Sequence, residues 1–478
     1  MSNAAQSLAG KRIDSLLDAN SFVEIGGRIT ARNTDFNMAE KKEPSDGVIT
    51  GYGVIEGKLV YVYSQDASVL GGSIGEMHAR KITRLYDLAM KMGAPVIGLI
   101  DCAGLRLEEA TDALQAFGEI YQKQALASGV ILQMTAIFGS CGGGLAMFPA
   151  LTDFTFMEGE KGRMFVNSPN ALAGNTAEKC DTSGAAWQAA ETGLIDRIGT
   201  EEEILTGLRQ MVSLLPSNNE DTDTYAECLD DLNRPAEGIE GLTGDSALAV
   251  SMIADDQLFF EIKPDYGKDI AAGFIRLNGA TVGVVANRSE LYDEEGNVAE
   301  SLGTLISSRG ARKAADFVTF CDSFDIPVLT LTNVTGFKAD FCNEKMLAAS
   351  VGKMIYAFAN ATVPKVNVIV GKAYGNAYVA MNSKGLGADL VYAWENAEIG
   401  MMDADLASKI MFADADASEL REKAAEYRKL QSGVDSAAAR GYVDTVIAPA
   451  DTRKYVIGAF EMLYSKSEES PVRKHGTV

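Results

Sequence analysis

The sequence predicts an α/β protein built from two duplicated domains, and three observations carry that expectation. An apolar segment following a proline occurs twice, Ala94–Asp101 (APVIGLID) and Ile326–Asn333 (IPVLTLTN), with Pro95 and Pro327 separated by 232 residues. Each copy is followed by a second apolar run ending in small residues, Gly129–Gly144 (GVILQMTAIFGSCGGG) and Val363–Ala377 (VPKVNVIVGKAYGNA), and Gly139 and Gly371 are again 232 apart. Near-continuous apolar runs such as VIGLI and MTAIF alternate with helical stretches, as strands of a sheet covered on both faces do. One long period with a single copy per half points to two similar domains and not to a solenoid.

Taken in order, Arg12–Asp18 reads as a short helix leading to a strand near Phe22–Ile25. A hairpin follows, with strands over Gly47–Ile55 and Lys58–Gln65 joined at Glu56-Gly57, a short turn signal between β-rich runs. Its copy is Gly273–Gly279, which answers Gly51–Gly57 at a separation of 222. His78–Met92 carries Ile82, Leu85, Leu88 and Met92 at helical spacing and is stopped by Gly93. Downstream, Leu151–Met157 is matched by Gly387–Ala393. The polar stretch Pro216–Thr224 interrupts the pattern, and strong periodicity returns only near Asp245. The expected domains are therefore 1–232 and 233–478. The acidic helical piece Ala415–Gln431 reads as a solvated face.

A chain of 478 residues with 47 % apolar and 23 % charged residues can bury a large core in each half. Its net charge of −23 argues against nucleic acid or an anionic membrane as partner. Cysteines 102, 141, 180, 228, 321 and 342 form no C-x-x-C pair, and only His78 and His475 supply imidazole, so no metal site is expected and the thiols read as free in a reducing cytosol. The N-terminus lacks the order of a signal peptide and no apolar run reaches membrane-spanning length, so a soluble cytoplasmic protein is expected.

Two backbone turns are the sharpest site candidates, Cys141–Gly144 and Tyr374–Ala377, each following a buried strand and preceding what reads as a helix start. Small residues there let a ligand carbonyl approach exposed N–H groups, an arrangement suited to a developing enolate or other oxyanion. Gly71-Gly72 suggests close approach by a ligand or a partner chain. Ser73 reads as the cap of the following helix, and His78 as a residue at its start. The two histidines form no Ser/His/Asp arrangement, so chemistry using backbone donors and a cofactor that brings its own base fits better than nucleophilic hydrolysis. Ala89–Met92 (AMKM) reproduces the tetrapeptide around the biotinyl lysine of carrier domains, but Lys91 ends an amphipathic helix and reads as an ordinary surface lysine.

Several segments together resemble one family: Ser45–Gly53 (SDGVITGYG), Ser64–His78 (SQDASVLGGSIGEMH), Gly93–Asp101, Pro149–Met157 (PALTDFTFM), Val363–Gly375 and the closing Arg473–Gly476 (RKHG). They are similar to the carboxyltransferase (β) subunit of biotin-dependent acyl-CoA carboxylases, a family that includes propionyl-CoA carboxylase β, methylmalonyl-CoA carboxyltransferase and the α subunits of sodium-pumping acyl-CoA decarboxylases. The likeness runs from Arg12 to Gly476. It implies two crotonase-like (ClpP/crotonase) domains, each a ββα superhelix, in a homo-hexamer arranged as a trimer of dimers, with active sites between the N-domain of one subunit and the C-domain of its partner. It also implies acyl-CoA and carboxybiotin entering from opposite sides, with carbonyls held by Gly143 and Gly144 at one turn and Asn376 and Ala377 at the other. Gly71, Gly72, Ser73, Gly104, Gly142, Gly336, Phe337, Tyr374, Gly375 and Val379 would line the substrate and biotin sites. Biotin would sit on a biotin carboxyl carrier protein served by a biotin carboxylase, or on a complex with membrane decarboxylase subunits, and not on this chain.

The sequence departs from the family at defined places. Val379 stands where propionyl-type members carry an aspartate, Asn333–Phe337 (NVTGF) replaces Asp-Val-Pro-Gly-Phe, and Asp101–Arg106 (DCAGLR) replaces Asp-Ser-Gly-Gly-Ala-Arg. The segment Met346–Lys353 likewise replaces Gly-Gly-Ile-Ile-x-x-Gly-Ala-Lys. The leading reading is carboxyl transfer to a short-chain acyl-CoA. Its alternatives are the reverse reaction in a decarboxylase, a non-catalytic assembly subunit, and, least favoured for want of a suitable Glu pair, a biotin-independent hydratase or isomerase.

Overall fold

A computed structural model describes residues 7–32, 36, 40, 43–221, 225–468 and 476. His475, with most of the closing RKHG motif, lies outside them. The chain divides into two compact units, Met1–Thr224 and Tyr225–Val478.

The first unit is built on an eight-stranded sheet: β1 (Val23–Glu24), β2 (Val48–Ile55), β3 (Lys58–Gln65), β4 (Val96–Cys102), β5 (Gln133–Gly142), β6 (Phe154–Glu158), β7 (Arg163–Phe165) and β8 (Arg197–Gly199). The second repeats it with β9 (Phe260–Ile262), β10 (Ile270–Leu277), β11 (Ala280–Asn287), β12 (Val328–Val334), β13 (Lys365–Tyr374), β14 (Leu390–Trp394), β15 (Glu398–Gly400) and β16 (Thr445–Ile447). The first sheet runs β1-β2-β3-β4-β5-β6-β8 with β7 beside β5, and the second runs β9-β10-β11-β12-β13-β14-β16 with β15 beside β13. Every strand of the first unit thus has its counterpart eight numbers later.

The local reasons recur as well. The β2–β3 hairpin pairs Ile55 with Lys58 across Glu56 (φ 49°) and Gly57 (φ 83°), and β10–β11 pairs Leu277 with Ala280 across Asn278 (φ 52°) and Gly279 (φ 78°). Two central residues at positive φ match the twist of the strands they join. From β3 and β11 onward the pairing is parallel, so helices must cross over the sheet. These include Glu76–Met92 and Ala110–Ala127 in the first unit and Ser308–Ser323 and Leu347–Asn360 in the second.

Carboxylates that accept strand N–H groups hold the register at matching places. Asp153 accepts the Gln133 N–H and Asp389 the Lys365 N–H, both at 2.8 Å. Asp196 accepts the Thr155 N–H at 2.7 Å and Asp444 the Val391 N–H at 2.8 Å. Apolar side chains from sheet and helices close each core, among them Ile82, Leu85, Val96 and Ile137 in one unit and Val284, Leu329, Val366 and Trp394 in the other.

Some boundaries differ from expectation. The first helix spans Leu8–Leu16, not Arg12–Asp18, because Ser7 Oγ accepts the Gly10 N–H and Leu17 is already extended. The helix expected from His78 begins at Glu76; it ends at Gly93 in the left-handed conformation (φ 59°). After Gly142 the chain makes a short 3₁₀ turn, Gly143–Met147, where a helix start was expected. Among the described residues no helix is long and apolar enough to cross a membrane.

Candidate active site

In the first unit, the carboxyl ends of β3, β4 and β5 gather residues far apart in sequence. Gly71 O accepts the Ala103 N–H at 2.9 Å, Gly104 O accepts the Ile74 N–H at 2.9 Å, and Ile74 O accepts the Arg106 N–H at 3.0 Å. At Gly72 (φ 64°) a Cβ would lie 2.4 Å from Asp101 O, so the loop can pass the strand end only as glycine. Cys102 pairs with Cys141 and Gly142 with Phe165, which brings the Cys141–Gly144 turn beside the same loops.

Gly143 takes φ 62° with nothing within 4 Å of a Cβ placed on it. The Gly144 carbonyl accepts the Tyr121 hydroxyl at 2.5 Å, which fixes the peptide from behind. The N–H groups of Gly143 and Gly144 are the first of the 3₁₀ turn and so have no carbonyl within that turn to reach. A small backbone cradle open to a ligand results.

The second unit forms the same constellation with different side chains. Gly336 and Phe337 pair in parallel with Leu305 and Ile306, the position held in the first unit by the Ile74–Leu105 bridge. Tyr374 is buried and its hydroxyl donates to Glu398, and burial together with that carboxylate holds the phenol pKa well above its usual value. Gly375 (φ 59°) opens the helix Gly375–Ala380, where a Cβ would stand 3.2 Å from Met401 O. Asn376 is exposed and Ala377 fully buried, and their N–H groups lie in the first turn of the helix, where they have no carbonyl within it to reach. Val379 is half exposed on the same short helix.

One expectation is corrected, and another gains a consequence. Ser73 does not cap the helix: its hydroxyl donates to Leu70 O at 2.7 Å and accepts from Arg106 Nε at 3.3 Å. Gly75 is the N-cap residue, and Glu109 takes over the capping role by accepting the Glu76 N–H at 2.6 Å. His78 lies in the first turn of the helix but is fully buried, with Nδ1 3.0 Å from Asp46 O and Nε2 3.3 Å from the Gln65 amide nitrogen. Burial, Arg106 and Lys81 push its pKa well down, which leaves a neutral ring without access to a substrate. Lys91 is exposed in the last turn of its helix, as expected.

Under the Gly71–Ser73 loop lies an ionic cluster that the sequence reading did not identify. Arg106, 1 % exposed in its side chain, contacts Asp46 at 2.7 Å and Glu109 at 2.8 Å, and donates to Ser73 O at 2.7 Å. The only sequence signal was an arginine shortly after a strand end. Burial raises the Asp46 carboxyl from 3.8 to about 6, against the charge and hydrogen bond of Arg106. The folded chain therefore holds this proton more tightly than the unfolded chain. Its contribution to stability is full below about pH 4 and is lost as pH rises through 6, by about 3 kcal/mol. The unfolding free energy of Asp46→Asn minus that of the unmodified protein should grow by this amount between pH 4 and 6.5; a pH-independent difference would refute the account.

Comparison with known proteins identifies the family. The family described as "Carboxyl transferase domain" matches residues 3–478. A putative propionyl-CoA carboxylase beta chain of Bacillus subtilis is 43 % identical over 98 % of this chain and 93 % of its own length. The methylmalonyl-CoA decarboxylase subunit alpha of Propionigenium modestum is 38 % identical over 98 % and 92 %. The crystal structure of transcarboxylase 12S, described as a hexamer and solved with hydrolysed methylmalonyl-CoA bound, superimposes with a TM-score of 0.91 at 36 % identity, covering 98 % of this chain and 92 % of that one. With the duplicated α/β architecture already described, these likenesses establish that the chain belongs to the carboxyl transferase family and is an acyl-CoA carboxyltransferase of crotonase-like fold.

Proposed function

We propose that this chain is the carboxyltransferase subunit that moves a carboxyl group between carboxybiotin, held on a separate carrier, and the α-carbon of a short-chain acyl-CoA of the propionyl, methylmalonyl or acetyl type. The observation that carries the reading is the recurrence of one open backbone turn at the end of the same strand in both units, at Gly143-Gly144 after β5 and at Asn376-Ala377 after β13. Two thioester or ureido carbonyls need two such donors, and backbone N–H groups aimed at a developing oxyanion supply stabilisation without reorganisation.

Carboxybiotin, when bound, supplies the carboxyl group and, once that has left, a nitrogen base for the substrate α-proton. The absence of any atom within 4 Å of a Cβ at Gly143 leaves room for a carbonyl to approach its N–H. This chain's residues bind and polarise: Gly143 and Gly144 N–H hold one oxygen, Asn376 and Ala377 N–H the other, and Gly71, Gly72, Gly104, Gly336 and Phe337 shape the surrounding loops. Side-chain nucleophiles are a poor alternative near the first turn, where burial pushes Cys102 up to about 12 and Cys141 higher still. A biotin carboxyl carrier protein and a biotin carboxylase are the partners this reading implies, in a homo-hexamer and in the cytoplasm.

The reverse reaction is the second reading, favoured by the 38 % identity to a decarboxylase subunit alpha. Both are tested by incubating the purified protein with free biotin and malonyl-, methylmalonyl- or glutaconyl-CoA and measuring biotin-dependent loss of the carboxyl group. Turnover of one of the three is expected and would name the acyl pocket. Acyl-CoA binding without turnover of any would count against catalysis by this chain and for an assembly role.

A further inference from the structure

At one position in each unit a single side chain plugs a bulge in the strand that carries the turn. On β4, Ile100 pairs with Ile137 and Cys102 with Cys141, so Asp101 alone faces the three residues Phe138–Ser140. On β12, Thr332 pairs with Ile369 and Val334 with Ala373, so Asn333 alone faces Val370–Lys372. The bulged strand changes partner here, β5 leaving β6 for β7 and β13 leaving β14 for β15. At the centre of each bulge is a glycine whose Cβ position is already taken: Asp101 Oδ1 stands 2.1 Å from it at Gly139, and Asn333 Oδ1 stands 2.6 Å from it at Gly371. Both plugs and both glycines are 232 residues apart.

The two plugs are tethered differently. Asp101 is neutralised by Arg12, 3.4 Å away, which also pairs with Glu201 and lies over the Phe138 ring. The buried side of the corresponding helix in the second unit, Ser246–Ile253, carries Ala249 and Val250 and no cation. The plug there is the neutral Asn333. Its amide oxygen accepts the Lys372 N–H at 3.0 Å, and its own N–H donates to Asn287 Oδ1 at 3.0 Å. A relay of side chain to backbone thus crosses the ends of β11, β12 and β13, two residues before Tyr374.

We infer that Asp101 and Asn333 are positioning residues, which set the direction of the two oxygen-binding turns by filling the bulge that re-aims each strand. The inference rests on the turns' role proposed above. Asn333 is the more informative to test, because no salt bridge is lost with it. In the full-length protein, Asn333→Ala should lower kcat for biotin-dependent decarboxylation by about tenfold or more, with KM for acyl-CoA changed less than about twofold and amide exchange at Lys372–Ala377 accelerated. Asn333→Asp keeps the acceptor and should recover most of kcat. A residue that only stabilised the fold would lower the melting temperature and leave kcat per folded subunit intact.

Should the alanine variant fail to fold, Asn333→Leu, which fills the bulge without an acceptor, should show the same loss of kcat. Unchanged kcat in either folded variant, or an aspartate variant as impaired as the alanine one, overturns the inference. Gly375→Val serves as the control for the turn itself. If it keeps full turnover, the turn's proposed role fails. The positioning inference then stands or falls on amide exchange at Lys372–Ala377 alone.

Discussion

Replacing Gly143 with valine is expected to lower kcat/KM for carboxyl transfer by about 100-fold or more, the usual loss when a backbone oxyanion donor is obstructed. A Cβ placed there meets no protein atom within 4 Å, so its attachment breaks no core contact. Its cost to folding is the left-handed conformation at φ 62°, about 1–3 kcal/mol for a residue with a Cβ. Its methyls would project into the open space where the carbonyl approaches. A matched measurement of turnover and thermal melting separates the two effects, and a folded Gly143→Val protein turning over within threefold of the unmodified enzyme would sink the assignment of this turn. Gly144→Ala offers a second view, since its Cβ would press on the Tyr121 hydroxyl at 3.0 Å, the group that pins the Gly144 carbonyl.

The largest loss of stability is expected from Arg106→Met. The guanidinium is 1 % exposed and its two carboxylate partners, Asp46 and Glu109, are fully enclosed. Removing it leaves two buried acids without the one cation that contacts them both, which costs about 3–5 kcal/mol. The hydrogen bonds to Ser73 O and Ser73 Oγ go with it, so the Gly71–Ser73 loop should loosen and transfer should fall along with stability. Urea unfolding at pH 7.5 measures the first effect. The triple variant Arg106→Met, Asp46→Asn, Glu109→Gln should regain part of the loss, because no charge then remains unpaired. A single variant that loses less than about 1 kcal/mol would show that the acids are solvated and the cluster unimportant.

Periodicity and turn chemistry are local properties, and they were legible from the chain alone: the duplication, both hairpins, the helix ended by Gly93, and the two small-residue turns all followed from residue type and spacing. The family was legible for the same reason, since its motifs are short and contiguous. Where a local rule had a nonlocal competitor, the expectation failed. Ser73 has the right residue type to cap a helix, but Glu109 reaches the helix start from 33 residues away and takes that place.

Partnership across the chain was settled only by the tertiary structure. The burial of His78, the enclosure of Arg106 between Asp46 and Glu109, and the plugging of Gly139 and Gly371 by Asp101 and Asn333 each join residues between 3 and 60 positions apart. The two plugs recur with the 232-residue duplication, but no short period within a unit marks any of these pairings. They arise because parallel strands deliver their ends to one edge of the sheet, and which side chains meet there depends on register and crossover geometry. The sequence by itself determined where the turns stand and that they occur twice, while the packing at the strand ends decided how each is held and aimed.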